Sequence, residues 1–178
     1  QDGVAYAQMT HKGRFRGSTA ATYLAAAKGR SHLRVETGAV ATKLLIEGKK
    51  CTGVEIRQNG QTRILTAARE VILSGGSVNS PQLLQLSGIG PAAHLQSLGI
   101  PVIHESPGVG QNLSDHYITR IQHRVKGAVS KNELARFPRY VPHVLRWLVM
   151  GDGVLTFSAI TATVFTRSRE GLDAPDLQ

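Results

Sequence analysis

Apolar and polar positions alternate most regularly between residues 40 and 67. Three runs there, VATKLLIE (40–47), CTGVEIRQ (51–58) and QTRILTA (61–67), read as strands at close spacing. Asn59-Gly60 joins the last two, and both residues tolerate the positive φ that a two-residue hairpin requires. The spacing predicts a three-stranded antiparallel meander. REVILS (69–74) is then a short apolar strand of the buried type. Gly75 and Gly76 follow, and a leucine-rich helix is expected from Ser80. Ser80 can cap it, and Pro81 suits its first position, where the missing N–H is harmless. Gly88 and Gly90 should end it. PAAHLQSL (91–98) reads as another helix, stopped by Gly99, and 101–104 as a short strand.

The flanks are less regular. Ser18 and Gly29 bracket an alanine-rich helix expected over 18–28. LRVET (33–37) reads as a short strand, and PGVGQNLSDH (107–116) as a loop. YITRIQHRV (117–125) alternates and reads as a strand. Residues 132–150 read as helix that Pro138 and Pro142 break or delay. LTFSAITATVFTRS (155–168) is β-rich. The expected fold is α/β (α+β), with a domain boundary near Tyr117: 1–116 and 117–178.

Composition narrows the class. The 178 residues are 41% hydrophobic and 19% charged, which reads as soluble and globular. No apolar run approaches the ~20 residues of a membrane span. The single cysteine, Cys51, permits no internal disulfide and reads as a small strand hydrophobe, with a reducing compartment expected. A cytoplasmic location is expected, with peripheral membrane association of a longer parent left open. The net charge is +9, and its richest window spans 120–146. That window has few aromatics for base stacking and no recognised nucleic-acid motif, so a solvated face, or a face that meets further protein, is the better reading. The seven histidines show no metal-ligand spacing, and no GxSxG, GxGxxG or GxxxxGK[ST] occurs. Spacing alone yields one chemical candidate. A strand running through Gly75-Gly76 into a helix can turn backbone amides toward a phosphate, although such glycines more often only shape a turn.

GSVNSPQLLQLSGIG (76–90) resembles the second signature of the glucose–methanol–choline (GMC) oxidoreductases. GRFRGSTAATYL, LRVETGAVATKLL, GVEIR, REVILSGG, GIGPAAHLQSLGIPV and PGVGQNLSDH follow the order of that family, and the tail from GDGVLTF to DAPDLQ resembles its next stretch. The resemblance implies a partial, Rossmann-like FAD-binding domain interrupted by a meander, plus the start of an antiparallel-sheet substrate domain. It implies that the chain is the middle of an FAD-dependent enzyme that oxidises alcohols by hydride transfer to flavin N5. The usual phosphate loop and catalytic histidine would lie outside these residues, so no catalytic residue is assigned and the chain alone is expected to be inactive. Ala41 matches the position whose backbone amide and carbonyl meet the adenine edge. Gly75 and Gly76 match the strand end passing the adenosine side, and Asn112 and Asp115 are near-cofactor candidates. His116 belongs to the same NLxDH motif and is not the catalytic base. AITATVF (159–165) lacks the acidic residue of many choline-like members, which leaves a neutral alcohol as well as a choline-like one as substrate. The alternative is a stand-alone, non-catalytic module that binds a nucleotide or a partner. Strands missing from the sheet should leave edges and apolar faces uncovered, so self-association, or poor order in residues 1–12 and the tail, is expected.

Overall fold

The computed structural model describes residues 2–157 and 160–178. The chain forms two compact units, one from Gln1–Leu33 with Ile121–Gln178 and one from Arg34–Arg120. The fold mixes α and β structure, with mainly antiparallel sheets.

The first unit begins with β1 (Gly3–Tyr6) and a tight hairpin of β2 (His11–Lys12) and β3 (Phe15–Arg16). Gly17 is buried beside this hairpin. A Cβ there would stand 3.2 Å from the His11 carbonyl carbon, a tight approach to backbone that glycine avoids. The alanine-rich segment is helical as expected, first as a π-turn over Ala20–Leu24 and then as α1 (Ala25–Ala27). Ser18 Oγ accepts from the Ala21 N–H at 3.3 Å.

The second unit holds the expected meander: β4 (Ala39–Glu47), β5 (Lys50–Gln58) and β6 (Gln61–Thr66), in that order and antiparallel. Asn59 and Gly60 both take positive φ, as the hairpin reading required. Leu44 and Ile56 bury its inner face. Two strand expectations fail beside it. LRVET forms no ladder; its Glu36 is instead engaged by Arg34, Arg63 and Gln58. REVILS forms none either, and Ile72 is 76% exposed. A strand of the buried type needs neighbours on both edges, and among the described residues none pairs with this one.

The following helix, α2 (Gly76–Leu86), starts four residues earlier than expected. Pro81 therefore lies inside it, and the Ser80 hydroxyl accepts from the Gly75 N–H at 2.9 Å instead of opening the helix. Then come β7 (Ile89–Gly90), α3 (Ala92–Ser97) and β8 (His104–Glu105). β7 and β8 pair in parallel over two residues, so the strand expected over 101–104 is reduced to its end. Leu95 of α3 is fully buried.

The chain then returns to the first unit. YITRIQHRV is not a strand, and Tyr117, Ile118, Ile121 and Val125 are all at least 65% exposed. Alternation alone cannot make a strand where no neighbour supplies the ladder. The helical stretch splits as its prolines suggest. α4 (Lys131–Leu134) carries a Ser130–Glu133 capping box, and α5 (Tyr140–Met150) keeps Pro142 in its first turn, where it is tolerated. Gly151, at φ 72°, ends α5. Of the β-rich tail, β9 (Ala162–Phe165) pairs antiparallel with β1. Ser158 and Ala159, within that tail, lie outside the described residues. No helix among the described residues is long and apolar enough to cross a membrane.

Candidate functional site

All five residues singled out by the resemblance lie in the second unit. Ala41 is exposed on β4, opposite Ile56. β4 is an edge strand, so only alternate residues use their backbone groups to bind β5. The phase is fixed at Leu44, whose N–H points away from β5 and donates to Ser87 Oγ at 2.8 Å. The register slips by one residue at Thr42, whose hydroxyl donates to Glu55 Oε1 at 2.6 Å. That bulge turns the amide and carbonyl of Ala41 to the same open edge as Leu44.

Ser87 is the pin of this unit. It is 1% exposed, accepts from Leu44 and donates its own proton to the Leu83 carbonyl at 2.6 Å. The end of α2 is thereby bound to β4. Gly88, at φ 85°, turns the chain out of the helix so closely that a Cβ would meet the Pro101 carbonyl oxygen at 2.5 Å. Gln85 reaches the other way and donates to the Val109 carbonyl at 3.0 Å. Gly110 presses on the same amide, where a side chain would collide with Gln85 Nε2. The signature segment therefore holds both the meander and the PGVGQN loop from one helix end. Sequence reasoning gave Ser87 and Gln85 no role of their own, since no periodicity or charge marks them; the signal was that both lie within the GSVNSPQLLQLSGIG segment.

Gly75 and Gly76 stand at the opposite end of α2, about 16 Å away along its axis. Gly75 spends its N–H on Ser80. Gly76 adopts φ 85°, and the space its missing Cβ would take is open. Asn112 also has positive φ, 56°, and its side chain has no hydrogen-bond partner among the described residues. Asp115 Oδ1 accepts from the His116 N–H at 2.7 Å, so this adjacent acid–imidazole pair meets through the backbone and is no catalytic dyad. Ala41 and the PGVGQN loop thus gather at the C-terminal half of α2, whereas Gly75 and Gly76 mark its start. Among the described residues, no hydrogen bond joins Asn112 or Asp115 to the other three. Among the described residues no cluster of His, Cys, Asp and Glu could hold a metal ion.

Open backbone groups at Ala41, an uncrowded left-handed glycine at 76 and exposed polar side chains at 112 and 115 suit a flat, polar, extended ligand. They offer amides, carbonyls and one carboxylate, and no nucleophile with an adjacent base.

Comparison with known proteins gives these residues their context. The chain is 44% identical over 170 residues to an oxygen-dependent choline dehydrogenase of Chromohalobacter salexigens, covering 96% of this chain and 30% of that protein. It is 41% identical over 179 residues to the mitochondrial choline dehydrogenase of Homo sapiens, covering 100% and 30%. The chain thus spans about 30% of the length of the curated relatives it matches. Among solved structures, an FAD-dependent oxidoreductase from Chaetomium thermophilum superposes with a TM-score of 0.78 at 25% identity, covering 92% of this chain and 30% of that one. A variant formate oxidase from Aspergillus oryzae RIB40 superposes at 0.75 and 27% identity, covering 88% and 27%. The family model for GMC oxidoreductases matches residues 1–118, two thirds of the sequence, and the chain belongs to that family.

Proposed function

We propose that this chain is part of an FAD-dependent oxidoreductase that oxidises a primary alcohol, choline-like or neutral, to the aldehyde. The observation that carries this reading is the identity of more than 40% to two choline dehydrogenases over nearly every residue present. The geometry fits the cofactor. The outward amide and carbonyl of Ala41 suit a purine edge, and Gly76 leaves room where a Cβ would crowd an adenosine. Asn112 and Asp115 add polar groups beside the loop that Gln85 holds. When bound, FAD supplies the hydride acceptor of the oxidation. The chain's own residues contribute binding and orientation; the base that takes the hydroxyl proton is proposed to lie in the remainder of the protein. Within the same proposal, 1–116 belong to the FAD-binding domain and 117–178 to the substrate domain, and the setting is cytoplasmic.

The test is anaerobic flavin bleaching in the full-length protein, with choline and a neutral primary alcohol offered separately. Bleaching by either supports the reading and names the alcohol class; bleaching by neither sinks it. The isolated 178-residue chain should turn over neither alcohol with a dye acceptor. It should also self-associate through its uncovered apolar surface, where Val149 is 81% and Met150 68% exposed. A monomer in sedimentation velocity would overturn that last expectation.

A further inference from the structure

A cavity of about 550 Å³ opens in the first unit, among residues that the reading above leaves without a role. Its volume is in the range of small-ligand sites. His11, Arg14 and Arg16 line it, and among the described residues no acidic one does. His11 and Arg16 are direct partners across the β2–β3 ladder, so both side chains stand on one face of the hairpin. Basic groups set opposite one another gain nothing from each other, and no acid among the described residues lines the cavity to offset them. Among the described residues, the Arg16 guanidinium has no hydrogen-bond or ion-pair partner.

Arg14 is held differently. Its guanidinium lies 5.5 Å from the Phe15 ring centre and 5.3 Å from that of Trp147. One of its nitrogens donates to the Trp147 carbonyl at 3.0 Å and to that of Leu148 at 2.6 Å. A guanidinium fixed this way keeps its other donors in one orientation, which suits a planar or tetrahedral oxyanion. Leu155 and Phe157 supply an apolar wall on the same cavity.

We propose that this cavity binds a small organic oxyanion, a carboxylate or phosphate monoester on an apolar body, with Arg16 and His11 meeting the charge and Arg14 as its fixed wall. The proposal does not rest on the alcohol-oxidising reading, and its test measures no turnover, so either can fail alone.

The experiment is calorimetric titration of the full chain with benzoate, with its neutral near-isostere benzamide, and with inorganic phosphate. Benzoate should bind one-to-one and at least tenfold more tightly than either comparator. Arg16→Gln should weaken benzoate at least fivefold, and His11→Gln should weaken it by a smaller factor. Arg57→Gln, which removes an exposed cation from the meander, should leave affinity within twofold. The emission of Trp147, the chain's single tryptophan, reports whether each variant keeps the hairpin on α5. Equal binding of benzamide removes the charge requirement and overturns the proposal. Phosphate binding as tightly as benzoate overturns the apolar wall, and equal losses in Arg16→Gln and Arg57→Gln reduce the effect to net charge.

Discussion

Leu44, Ile56, Leu95 and Ser87 are buried, and all four lie in the unit formed by Arg34–Arg120. In the unit formed by Gln1–Leu33 and Ile121–Gln178, the one buried residue among those described is Gly17, which has no side chain. The first of these units has an interior, small as it is, joined by a buried hydroxyl. The other is assembled from pairings at a distance: β1 with β9, and Arg14 with the end of α5. Many of its large apolar side chains, among them Leu145, Leu148, Val149 and Met150, face outward. A chain that spans about 30% of its relatives can enclose a core where contacts are near in sequence. Where contacts are distant, it keeps the hydrogen bonds and leaves the apolar faces bare.

The contrast is broken most severely at Gly88. Gly88→Ala places a Cβ 2.5 Å from the Pro101 carbonyl oxygen and 3.0 Å from Ile103 Cγ1, on a backbone at φ 85°. Backbone strain and overpacking together should cost about 3 kcal/mol. Hydrogen exchange followed unit by unit should show protection lost over Arg34–Arg120 and kept in the β1–β9 pair. Loss in both units at once would mean that they unfold as one. Ser87→Ala is the next largest. It leaves the Leu44 N–H buried without an acceptor, at about 2 kcal/mol. Its signature is faster exchange at Leu44 while the β5–β6 ladder stays protected.

Ser87 also shows where sequence legibility ended, whereas Gly88 was expected to end α2 and follows its last turn at positive φ. The meander was readable because its information is local: alternation over 40–67 and the Asn59-Gly60 turn need no distant partner. REVILS and YITRIQHRV carry equally strong apolar patterns, but a strand exists only where another strand accepts its hydrogen bonds. β1 was invisible for the opposite reason, since its partner lies more than 150 residues away. At the candidate site, Gly75 and Gly76 were legible as a turn. The outward face of Ala41 was not, because it depends on the one-residue slip at Thr42. Ser87 and Gln85 act through individual side-chain hydrogen bonds, two at Ser87 and one at Gln85, which leave no periodic trace.

The other unit is probed at Arg14. Its guanidinium stacks on Phe15 and Trp147 and closes two carbonyls at the end of α5. Arg14→Ala should cost about 1 kcal/mol, since the contacts are only partly shielded from water. Trp147 emission should shift to the red as its ring loses the stacked cation. Exchange in the meander should not change; a change there would show that the units share their stability.

The smallest effect compares one carboxylate from each unit across acid pH. Burial raises the pKa of Glu36, but Arg34, Gln58 and Arg63 outweigh it and hold the carboxyl below its ordinary 4.5. Its Oε1 is shielded and has only the 2.5 Å contact with Arg34 Nε, whose geometry falls short of a hydrogen bond. Asp152 is held below its ordinary 3.8 by the hydrogen bond from Arg146, at 2.6 Å, against a smaller opposing effect of burial. A carboxyl whose folded pKa is depressed contributes stability that is present above its unfolded pKa and is lost as pH falls through the folded one. The Glu36 contribution is therefore intact above about pH 4.5 and fades below it, while that of Asp152 begins to fade only below about 3.8. Glu36→Gln should flatten the acid loss of protection in the Arg34–Arg120 unit, beginning at the higher pH. Asp152→Asn should flatten a weaker loss at the end of α5, because its side chain is 53% exposed against 23% for Glu36 and water screens the pair. Exchange rates measured at several points between pH 5 and 3, in both variants and the parent, separate the two. If Asp152→Asn alters acid sensitivity more than Glu36→Gln, then charge networks do not follow the division that burial draws between the units.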